Sequence, residues 1–448
     1  MRRLLPLSLM LTFIGCVHLP PSRDRADVSR DLQTRVSQTL GPRASVDEIV
    51  IPKNLELGQA MNEDQVVMLA LWNNPLFQET LVELSLTKAD LLQAGLLPNP
   101  DAIFFFGMPG KPYKYAAELP IEAIWLRPIR LKIAGNENAR SAERLAQVAL
   151  DLIRDTRQAY ADVLLAQERK RIAKRAVELR GGLSESAKKR LDAGDASVQE
   201  ASTAKIDSMQ AEQDAKRINF ELPLAEERLR NLLGLGGISF PIILDSALTQ
   251  SNPGATAEIL ADEAVRSRPD ALAAEVAVAA AAERLRFAKI GWVRFLGIAD
   301  ASSGRRTGHE FGPAFRVTLP IFNHNQGIIA RSEAELEQLQ RRCVTIRNQI
   351  HLDVRLAYLR LEQAEAEAKY LRENVLPEVT AAIARAKKAF IGGGASYIIV
   401  LETTRQEIDT LNREAMLHAE RRRAWAELER SVGRRLPLPL QALLEPLP

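Results

Sequence analysis

The sequence is poor in cysteine, in histidine and in long apolar runs, and each shortage excludes a class of protein. Its 448 residues include two cysteines, Cys16 and Cys343, and five histidines. The histidines are scattered without ligand-type spacing, so neither a metal site nor another cofactor is predicted. After the N-terminus, no run reaches the roughly 18 to 20 consecutive apolar residues of a membrane-spanning helix. A helical-bundle membrane protein is therefore not expected.

The sequence also has no large excess of one charge sign and no catalytic motif. The 60 lysines and arginines nearly balance the 57 aspartates and glutamates, and the net charge of +3 gives no reason to expect nucleic acid as a partner. No nucleophile elbow, phosphate loop or histidine pair is present. The glycine-containing stretches at residues 107–110 and 392–394 lack the strand-to-helix context of a phosphate-binding loop and are typical of turns. The sequence predicts that the protein is not an enzyme.

The first 16 residues have the pattern of an export signal. Two arginines precede an apolar core at residues 4–14, which has the length usual for a secretory signal. Residues 13–16 read Phe-Ile-Gly-Cys and resemble the lipobox of bacterial lipoproteins, which implies acylation of Cys16 and a signal peptide at residues 1–15. Val17, in place of Asp, resembles lipoproteins sorted to the outer membrane. The alternative is an ordinary secretory signal with an incidental cysteine.

The chain contains an internal repeat of roughly 195 residues, the kind of self-similarity that indicates a duplicated unit. Four motifs of the first copy return in the same order in the second: Asn74-Pro75 as Arg268-Pro269, Ala139-Arg140 as Ala330-Arg331, Gly194-Asp195 as Gly393-Gly394, and Leu232-Leu233-Gly234 as Ser431-Val432-Gly433. This places the repeats at residues 62–255 and 256–435. A lipid-anchored linker at 16–61 precedes them, and a proline-rich tail at 436–448 follows.

Each copy combines helices with a pair of strands. In the first copy we expect a helix at about 62–96, a long helix at about 136–193 and an outer helix at about 197–233. In the second copy an outer helix is expected at about 257–290. The long helix would be on the order of 85 Å in length. Residues 122–130, between the strands and the long helix of the first copy, look like an insertion that replaces a compact turn.

The strands are marked by alternation with a period of two. In the first copy Tyr113, Tyr115 and Leu119 share one face, and residues 104–106 supply a partner strand, so that strands are expected within about 101–122. The second copy repeats this alternation at 311–319, with a partner at about 295–301, giving strands within about 294–320. The sequence thus predicts a mainly α fold with a small β part.

A coiled-coil seam is predicted along both long helices, because apolar residues recur at alternating steps of three and four. The seam of the first copy consists of Ala139, Ala142, Ala146, Ala149, Ile153, Thr156, Tyr160 and Val163. The seam of the second copy consists of Leu336, Leu339, Cys343, Ile346 and Ile350. Cys343 is therefore predicted to be a core residue.

Four short strands cannot form a membrane structure alone, because a bilayer tolerates no open sheet edge. Closure requires at least about eight strands. The strands of two or more chains would have to combine, unless they form a small sheet packed on a helical body instead.

The duplicated order of helix, Leu-Pro-Asn-Pro, strand pair, and Leu-Pro-Ile-Phe before a long coiled-coil helix resembles the TolC family of outer membrane factors. The stretch 319–327 resembles the heavy-metal resistance branch. This resemblance implies a homotrimer with a 12-stranded outer-membrane β-barrel and a periplasmic helical tunnel. It also implies partnership with a periplasmic adaptor and an inner-membrane pump, and a passive export function. The resemblance does not distinguish small-solute or metal-ion efflux from a type I protein secretion conduit. A non-conducting, lipid-anchored periplasmic scaffold is the other alternative.

The turns at Gly194 and at 392–394 are expected to mark the periplasmic mouth, with positive φ at glycine. Residues 396–403 then resemble the family segment that carries a pair of acidic gate residues. By that register Glu402 matches one acidic position and Ile399 occupies the other. Glu402 and Ile399 are therefore the predicted channel gate. The alternative is that Glu402 is a surface carboxylate paired with Arg405.

Overall fold

The computed structural model describes residues 21–43, 45–46, 48–53, 55–56, 58–108, 111–238, 240–246, 253–304, 308–392, 394 and 396–436. The helices of these residues are α1 (Arg25–Val36), α2 (Glu63–Asn73), α3 (Pro75–Gly95), α4 (Glu122–Asp192), α5 (Val198–Ile218), α6 (Glu221–Leu232), α7 (Ala257–Ser267), α8 (Pro269–Ile290), α9 (Gln326–Tyr370), α10 (Leu376–Ile391) and α11 (Tyr397–Val432). The strands are β1 (Ala60–Met61), β2 (Asp101–Met108), β3 (Lys111–Pro120), β4 (Ile243–Leu244), β5 (Phe295–Gly304) and β6 (Gly308–Val317). A π-helical turn, Leu371–Val375, joins α9 to α10. The predicted mainly α fold with a small β part is confirmed.

The chain divides into two compact units, and both sequence repeats contribute to each. Unit 1 comprises the described residues of Met1–Val28, Thr80–Ala146 and Pro269–Asn348. Unit 2 comprises the described residues of Ser29–Glu79, Gln147–Arg268 and Gln349–Pro448. In the part of the chain that the structure describes, no helix has both the length and the apolar content to cross a membrane.

Unit 1 contains a four-stranded antiparallel sheet in the order β2-β3-β5-β6. The hairpins β2–β3 and β5–β6 come from different repeats, and β3 pairs with β5 along its length, from Tyr113 opposite Ser303 to Pro120 opposite Leu296. β3 and β6 were expected from the period-two alternation, and β2 and β5 were expected as their partners. The sheet therefore joins the two copies through backbone hydrogen bonds.

The start of the long helix differs from the sequence prediction. α4 begins at Glu122, directly after β3, so the expected start of the long helix near residue 136 is wrong, and residues 122–130 form the first turns of that helix. Ala123, Leu126 and Ile129 recur every three residues and are buried, which gives this stretch a helical apolar face. Pro128 removes one backbone hydrogen bond from the helix and crowds the carbonyl four residues before it, and the helix nevertheless continues through this position. In the second copy, by contrast, residues 318–325 form a non-helical connection between β6 and α9.

Two of the helices expected to be continuous are broken before a proline. The predicted helix at 62–96 is interrupted at Asn74, whose ψ is 118°. The predicted helix at 257–290 is interrupted at Arg268, whose ψ is 136°. A following proline disfavours the helical conformation of the residue before it, and Pro75 and Pro269 therefore start new helices. The helix expected at 197–233 is likewise divided, into α5 and α6.

The residues at these breaks contact the end of the same repeat, within unit 2. The Asn74 side-chain amide donates to the Leu232 carbonyl at 2.9 Å, and the Arg268 guanidinium donates to the Ser431 carbonyl at 3.1 Å. The helices that end there are followed by Gly234 (φ +68°) and Gly433 (φ +85°), a left-handed conformation that favours glycine. We call these two contacts the repeat clasps. They show that motifs matched in sequence occupy matching places in the fold.

The predicted seam of α4 is buried. From Ala142 to Val163 its seven members are at most 4% exposed, and Ala139 is half-buried. Thr156 fits this apolar row because its hydroxyl donates to the Leu152 carbonyl at 2.7 Å. In α9, Cys343 is a buried free thiol and Ile350 is fully buried. The prediction that Cys343 is a packing residue is confirmed.

Candidate functional site

The four-stranded sheet has one face without charge among its described side chains. The register places alternate residues of each strand on this face, which we call the apolar face. Its large members are Phe104, Phe106, Tyr113, Tyr115, Phe311 and Phe315, each at least 40% exposed. Phe104 and Tyr115 meet edge to face, with ring centroids 5.7 Å apart. An exposed aromatic surface of this kind is typical of a site that contacts a partner or a lipid.

The opposite face carries all the charged side chains that the structure describes in the sheet. These are Asp101, Lys114, Glu118, Asp300, Glu310 and Arg316. The Lys114 ammonium lies 3.0 Å from the Asp300 carboxylate, and the Arg316 guanidinium lies 3.2 Å from that of Glu118, so both pairs bridge neighbouring strands. We call this the charged face. The two faces thus suit two different environments.

The sheet has two open edges within the chain. Among the described strands, β2 pairs with β3 and β6 pairs with β5, and neither has a second neighbour. The outward backbone groups of both edge strands therefore form no strand pairing inside one chain. Such edges bind further strands, and a bilayer interior requires them to be paired.

The predicted gate residues lie at the start of α11, in unit 2. Tyr397, Val400 and Leu401 are buried there, in an apolar cluster that also contains Ala187, Ala204, Ala386 and Phe390. Ile399 and Glu402 lie on the opposite side of the helix, three residues apart, and both are exposed. The Gln406 side chain donates to a Glu402 carboxylate oxygen at 3.4 Å. One exposed stripe thus carries both gate candidates, and their place in a channel stays a prediction.

Arg405 contacts a residue that the sequence reasoning missed. Its guanidinium donates to Asp207 at 2.9 Å, and the Tyr397 hydroxyl donates to the other Asp207 oxygen at 3.4 Å. Asp207 is only 3% exposed. Burial, and next the Asp207 charge, raise the pKa of Tyr397 to about 12. The one sequence signal for Asp207 was its helical spacing from Ala204 and Ala211, which marks a packed position.

The two turns beside this segment differ in backbone conformation. Gly194 has φ +81°, as expected for a tight turn between helices. Gly392 has φ −79°, so the prediction of a positive φ is wrong there, and Gly393 lies outside the described residues. The physical reason is that α10 ends with hydrogen bonds from the amide of Gly392 to the Lys388 carbonyl and from that of Gly394 to the Ala389 carbonyl. These hydrogen bonds at the end of α10 hold Gly392 at a negative φ that any residue can adopt.

A buried charge cluster lies elsewhere in unit 2, centred on Arg157. Its guanidinium is hydrogen-bonded to Glu429 and lies 3.1 Å from Glu63 and 3.6 Å from Asp64. The side chains of Arg157 and Glu429 are each 6% exposed. Burial raises the pKa of Glu63, and the charge of Arg157 is the largest opposing cause. No spacing in the sequence marks this cluster, because its members come from three separate helices.

Two further points concern the predicted lipidation site and metal binding. Cys16, the predicted lipidation site, lies outside the described residues. Among the residues that are described, no group of three or more histidine, cysteine, aspartate or glutamate side chains is arranged to hold a metal ion.

Comparison with known proteins identifies relatives over most of the chain. The sequence model of the family described as outer membrane efflux protein matches residues 115–235. The cobalt-zinc-cadmium resistance protein CzcC of Cupriavidus metallidurans is 24% identical over 364 residues, which cover 79% of this chain and 85% of that protein.

Solved structures share the fold. A membrane protein from Pseudomonas aeruginosa superposes with a TM-score of 0.72 at 18% identity, covering 89% of this chain and 100% of the other. The outer membrane protein VceC from Vibrio cholerae gives 0.70 at 17% identity, covering 84% and 97%. CusC gives 0.66 at 17% identity, covering 83% and 91%.

The duplicated architecture, the sheet with two chemically different faces and these matches agree with one another. The resemblance to outer membrane factors seen in the sequence is thereby confirmed. The chain is similar to the outer membrane efflux protein family, the TolC family, in sequence at residues 115–235 and in fold over most of its length, and members of that family are non-enzymatic conduits that extend from the outer membrane into the periplasm.

Proposed function

We propose that three copies of this chain close a single 12-stranded barrel in the outer membrane and export cations through it. Family members act as trimers with a periplasmic adaptor and an inner-membrane pump. The observation that carries the proposal for this chain is the sheet, with two open edges, one apolar face and one charged face. We expect this protein to join an adaptor and a pump of the same kind.

The barrel follows from the need to pair the edges. If β6 of one copy pairs with β2 of the next, no edge remains, and three sheets of four strands give twelve strands. The apolar face then contacts lipid and the charged face lines the interior. The reverse orientation would expose six charged side chains per copy to hydrocarbon, which is costly.

The charge of the interior supports cations as cargo. Each charged face holds four acidic residues (Asp101, Glu118, Asp300 and Glu310) and two basic ones (Lys114 and Arg316), a net charge of −2. Three copies would give −6 inside the barrel, a charge that attracts cations and repels anions. Metal ions are the cargo class we propose, in line with the name of the relative CzcC.

The gate proposal concerns Ile399 and Glu402. Three copies of the exposed stripe on α11, brought around a threefold axis, would place a carboxylate ring beside an apolar ring. Such a constriction is closed to bulk water by Ile399 and selective for cations through Glu402. The observation that Arg405 binds Asp207 supports this, because the arginine once considered as the partner of Glu402 is engaged elsewhere.

Single-channel recording in planar bilayers tests the proposal. Purified protein should be trimeric by light scattering, and it should give conductance steps with a cation-selective reversal potential across a salt gradient. Glu402→Gln should shift that potential toward zero, whereas Glu212→Gln, at an exposed carboxylate of α5, should leave it unchanged. A trimer without conductance would favour the periplasmic scaffold. A wide pore without cation preference would favour a conduit for polypeptides.

A further inference from the structure

A histidine lies half-buried in unit 2, where α11 faces α4. The side chain of His418, in α11, is 27% exposed, and its Nε2 lies 3.9 Å from a carboxylate oxygen of Glu414, one turn earlier in the same helix. Its Nδ1 is buried and has no hydrogen-bond partner among the described residues. A protonated imidazole carries an N–H donor on both nitrogens, and a buried donor without a partner is costly. The site therefore suits the neutral form of the ring.

A cavity of about 490 Å³ lies between α4 and this part of α11. His418, Ala415 and Ala419 line it from α11, and Ala161 and Leu165 line it from α4. Small side chains at these positions leave the two helices without tight contact here. A charged ring can reach water only by turning within this cavity, and that movement changes the packing of α11 beside it.

The charged groups nearest to His418 disfavour a proton on the ring as well. Arg421 and Arg422 follow it on α11, and Arg372 lies in the π-helical turn after α9. Glu414 acts in the opposite sense. Burial is the largest cause that lowers the pKa of His418 below its ordinary value of 6.5, and the charge of Arg421 is the next. The ring is therefore neutral at neutral pH.

The carboxylates of the neighbouring helices act mainly on arginines. These pairs are Glu168 with Arg171 within α4, at 2.9 Å, Glu63 of α2 with Arg422, at 3.4 Å, and Glu365 of α9 with Arg421. The described part of unit 2 thus offers a protonated ring no acidic partner on another helix.

An apolar contact between α4 and α11 lies between His418 and the proposed gate. Ile172 and Ala176 of α4 pack there against Ile408 of α11. α11 is one continuous helix, and Glu402 lies 16 residues before His418, or about 24 Å along the axis. A change of packing at His418 therefore acts on the gate segment through a single rigid element.

We propose that His418 is an acid sensor for the channel gate. When the ring gains a proton it leaves its buried position, α11 loosens from α4, and the exposed stripe with Ile399 and Glu402 moves away from the threefold axis. The channel then conducts more at acid pH. This inference rests on the proposed channel and adds a regulator of its gate. The packing that depends on the neutral ring is fully present above about pH 6.5 and is lost as the pH falls.

Hydrogen exchange tests the local step without the use of conductance. Full-length protein in detergent is exchanged at a series of pH values from about 7.5 to about 5, and the rates are corrected for the intrinsic effect of pH. Protection of the α11 amides at 408–418 should fall several-fold in the wild type. His418→Gln, whose side chain does not titrate, should retain it. The matched control is His351→Gln, at the other histidine of unit 2, which should behave like the wild type.

Two charge variants give a reading that a purely structural role would not change. Arg421→Gln removes the charge that lowers the pKa of His418 most, so the midpoint of the change in protection should move to higher pH. Glu414→Gln removes the carboxylate that raises this pKa, so the midpoint should move to lower pH. Midpoints that do not move in opposite directions would show that another group titrates.

Single-channel recording connects the sensor to the gate. The open probability of the wild type should rise several-fold as the pH falls over the same range, and that of His418→Gln should not. An equal rise in His418→Gln would overturn the inference, as would protection of α11 that is independent of pH. Absence of conductance at every pH would refute the proposed channel instead, and hydrogen exchange would still decide whether His418 responds to acid.

Discussion

Arg157→Met removes the centre of the buried charge cluster and leaves its carboxylates without their common partner. Methionine retains most of the side-chain length, so packing changes little and the charge is the main loss. Glu429 keeps one contact, because its other oxygen accepts from the amide of Leu436 at 2.9 Å. We therefore expect a large loss of stability from a single substitution.

The burial of each partner sets the magnitude. Glu63 and Asp64 are 32% and 40% exposed, and pairs at that exposure contribute at most about 1 kcal/mol each. Glu429 is only 6% exposed, and removing one member of a buried pair costs about 3–5 kcal/mol. The buried pair therefore dominates, and because the entropy of unfolding grows with chain length, the melting temperature of this 448-residue chain should fall by about 3–5 °C.

The loss should depend on pH, with a definite sign. Burial raises the pKa of Glu63, so its ionised form destabilises the fold at a pH above that raised pKa. The charge of Arg157 is the largest cause that lowers this pKa, so its removal raises the pKa of Glu63 further. The difference in melting temperature between the variant and the wild type should therefore be fully present at neutral pH. It should become smaller as the pH falls toward 4.5, the ordinary pKa of a glutamate.

Circular dichroism of the helical signal, at one scan rate in detergent, measures both effects. The matched control is Arg423→Met, which removes an arginine paired with Asp162, where both side chains are more than one third exposed. That substitution should shift the melting temperature by no more than about 1 °C and without the same pH dependence. Equal shifts for the two variants would refute the reasoning that burial decides the effect.

Other substitutions test single features. Cys16→Ser should abolish metabolic labelling with palmitate, and unchanged labelling would remove this cysteine from the lipid anchor. Gly194→Ala should lower stability by about 1–2 kcal/mol because φ is +81°, whereas Gly182→Ala, within α4 and facing open space, should raise it by about 0.5–1 kcal/mol; thermal melts decide both signs. Asp207→Ala should lower the pKa of Tyr397 from about 12, and a tyrosinate absorbance titration beside Tyr397→Phe would detect this.

The strands and the seam of this fold could be predicted because local periodicity determines them. Alternation along 113–119 and 311–317 marks positions that face one side of a sheet, and no distant information is needed to read it. The start of α4 could not be predicted in the same way. The long helix was expected only from about residue 136, but buried apolar residues and two arginines that bind the end of α3 keep residues 122–130 helical as well.

The candidate sites also divide into those that a local sequence pattern indicates and those that it does not. Glu402 and Ile399 could be proposed as gate residues because the segment that resembles the family motif is contiguous, and their shared exposed stripe follows from helical geometry. Asp207 and Arg157 could not, because their partners are more than 90 residues away in the chain. Long-range pairing of charges leaves no local pattern in a sequence that is rich in both signs.

The repeat clasps bear on how such a chain could have arisen. Each clasp joins the beginning of a repeat to the end of the same repeat, Asn74 to Leu232 and Arg268 to Ser431. The peptide connection between the repeats is therefore not what holds either clasp together. Two separate polypeptides, one for each half, could form the same contacts, as expected if an ancestral gene encoded a single half that assembled in twice the number of copies before it was duplicated and fused.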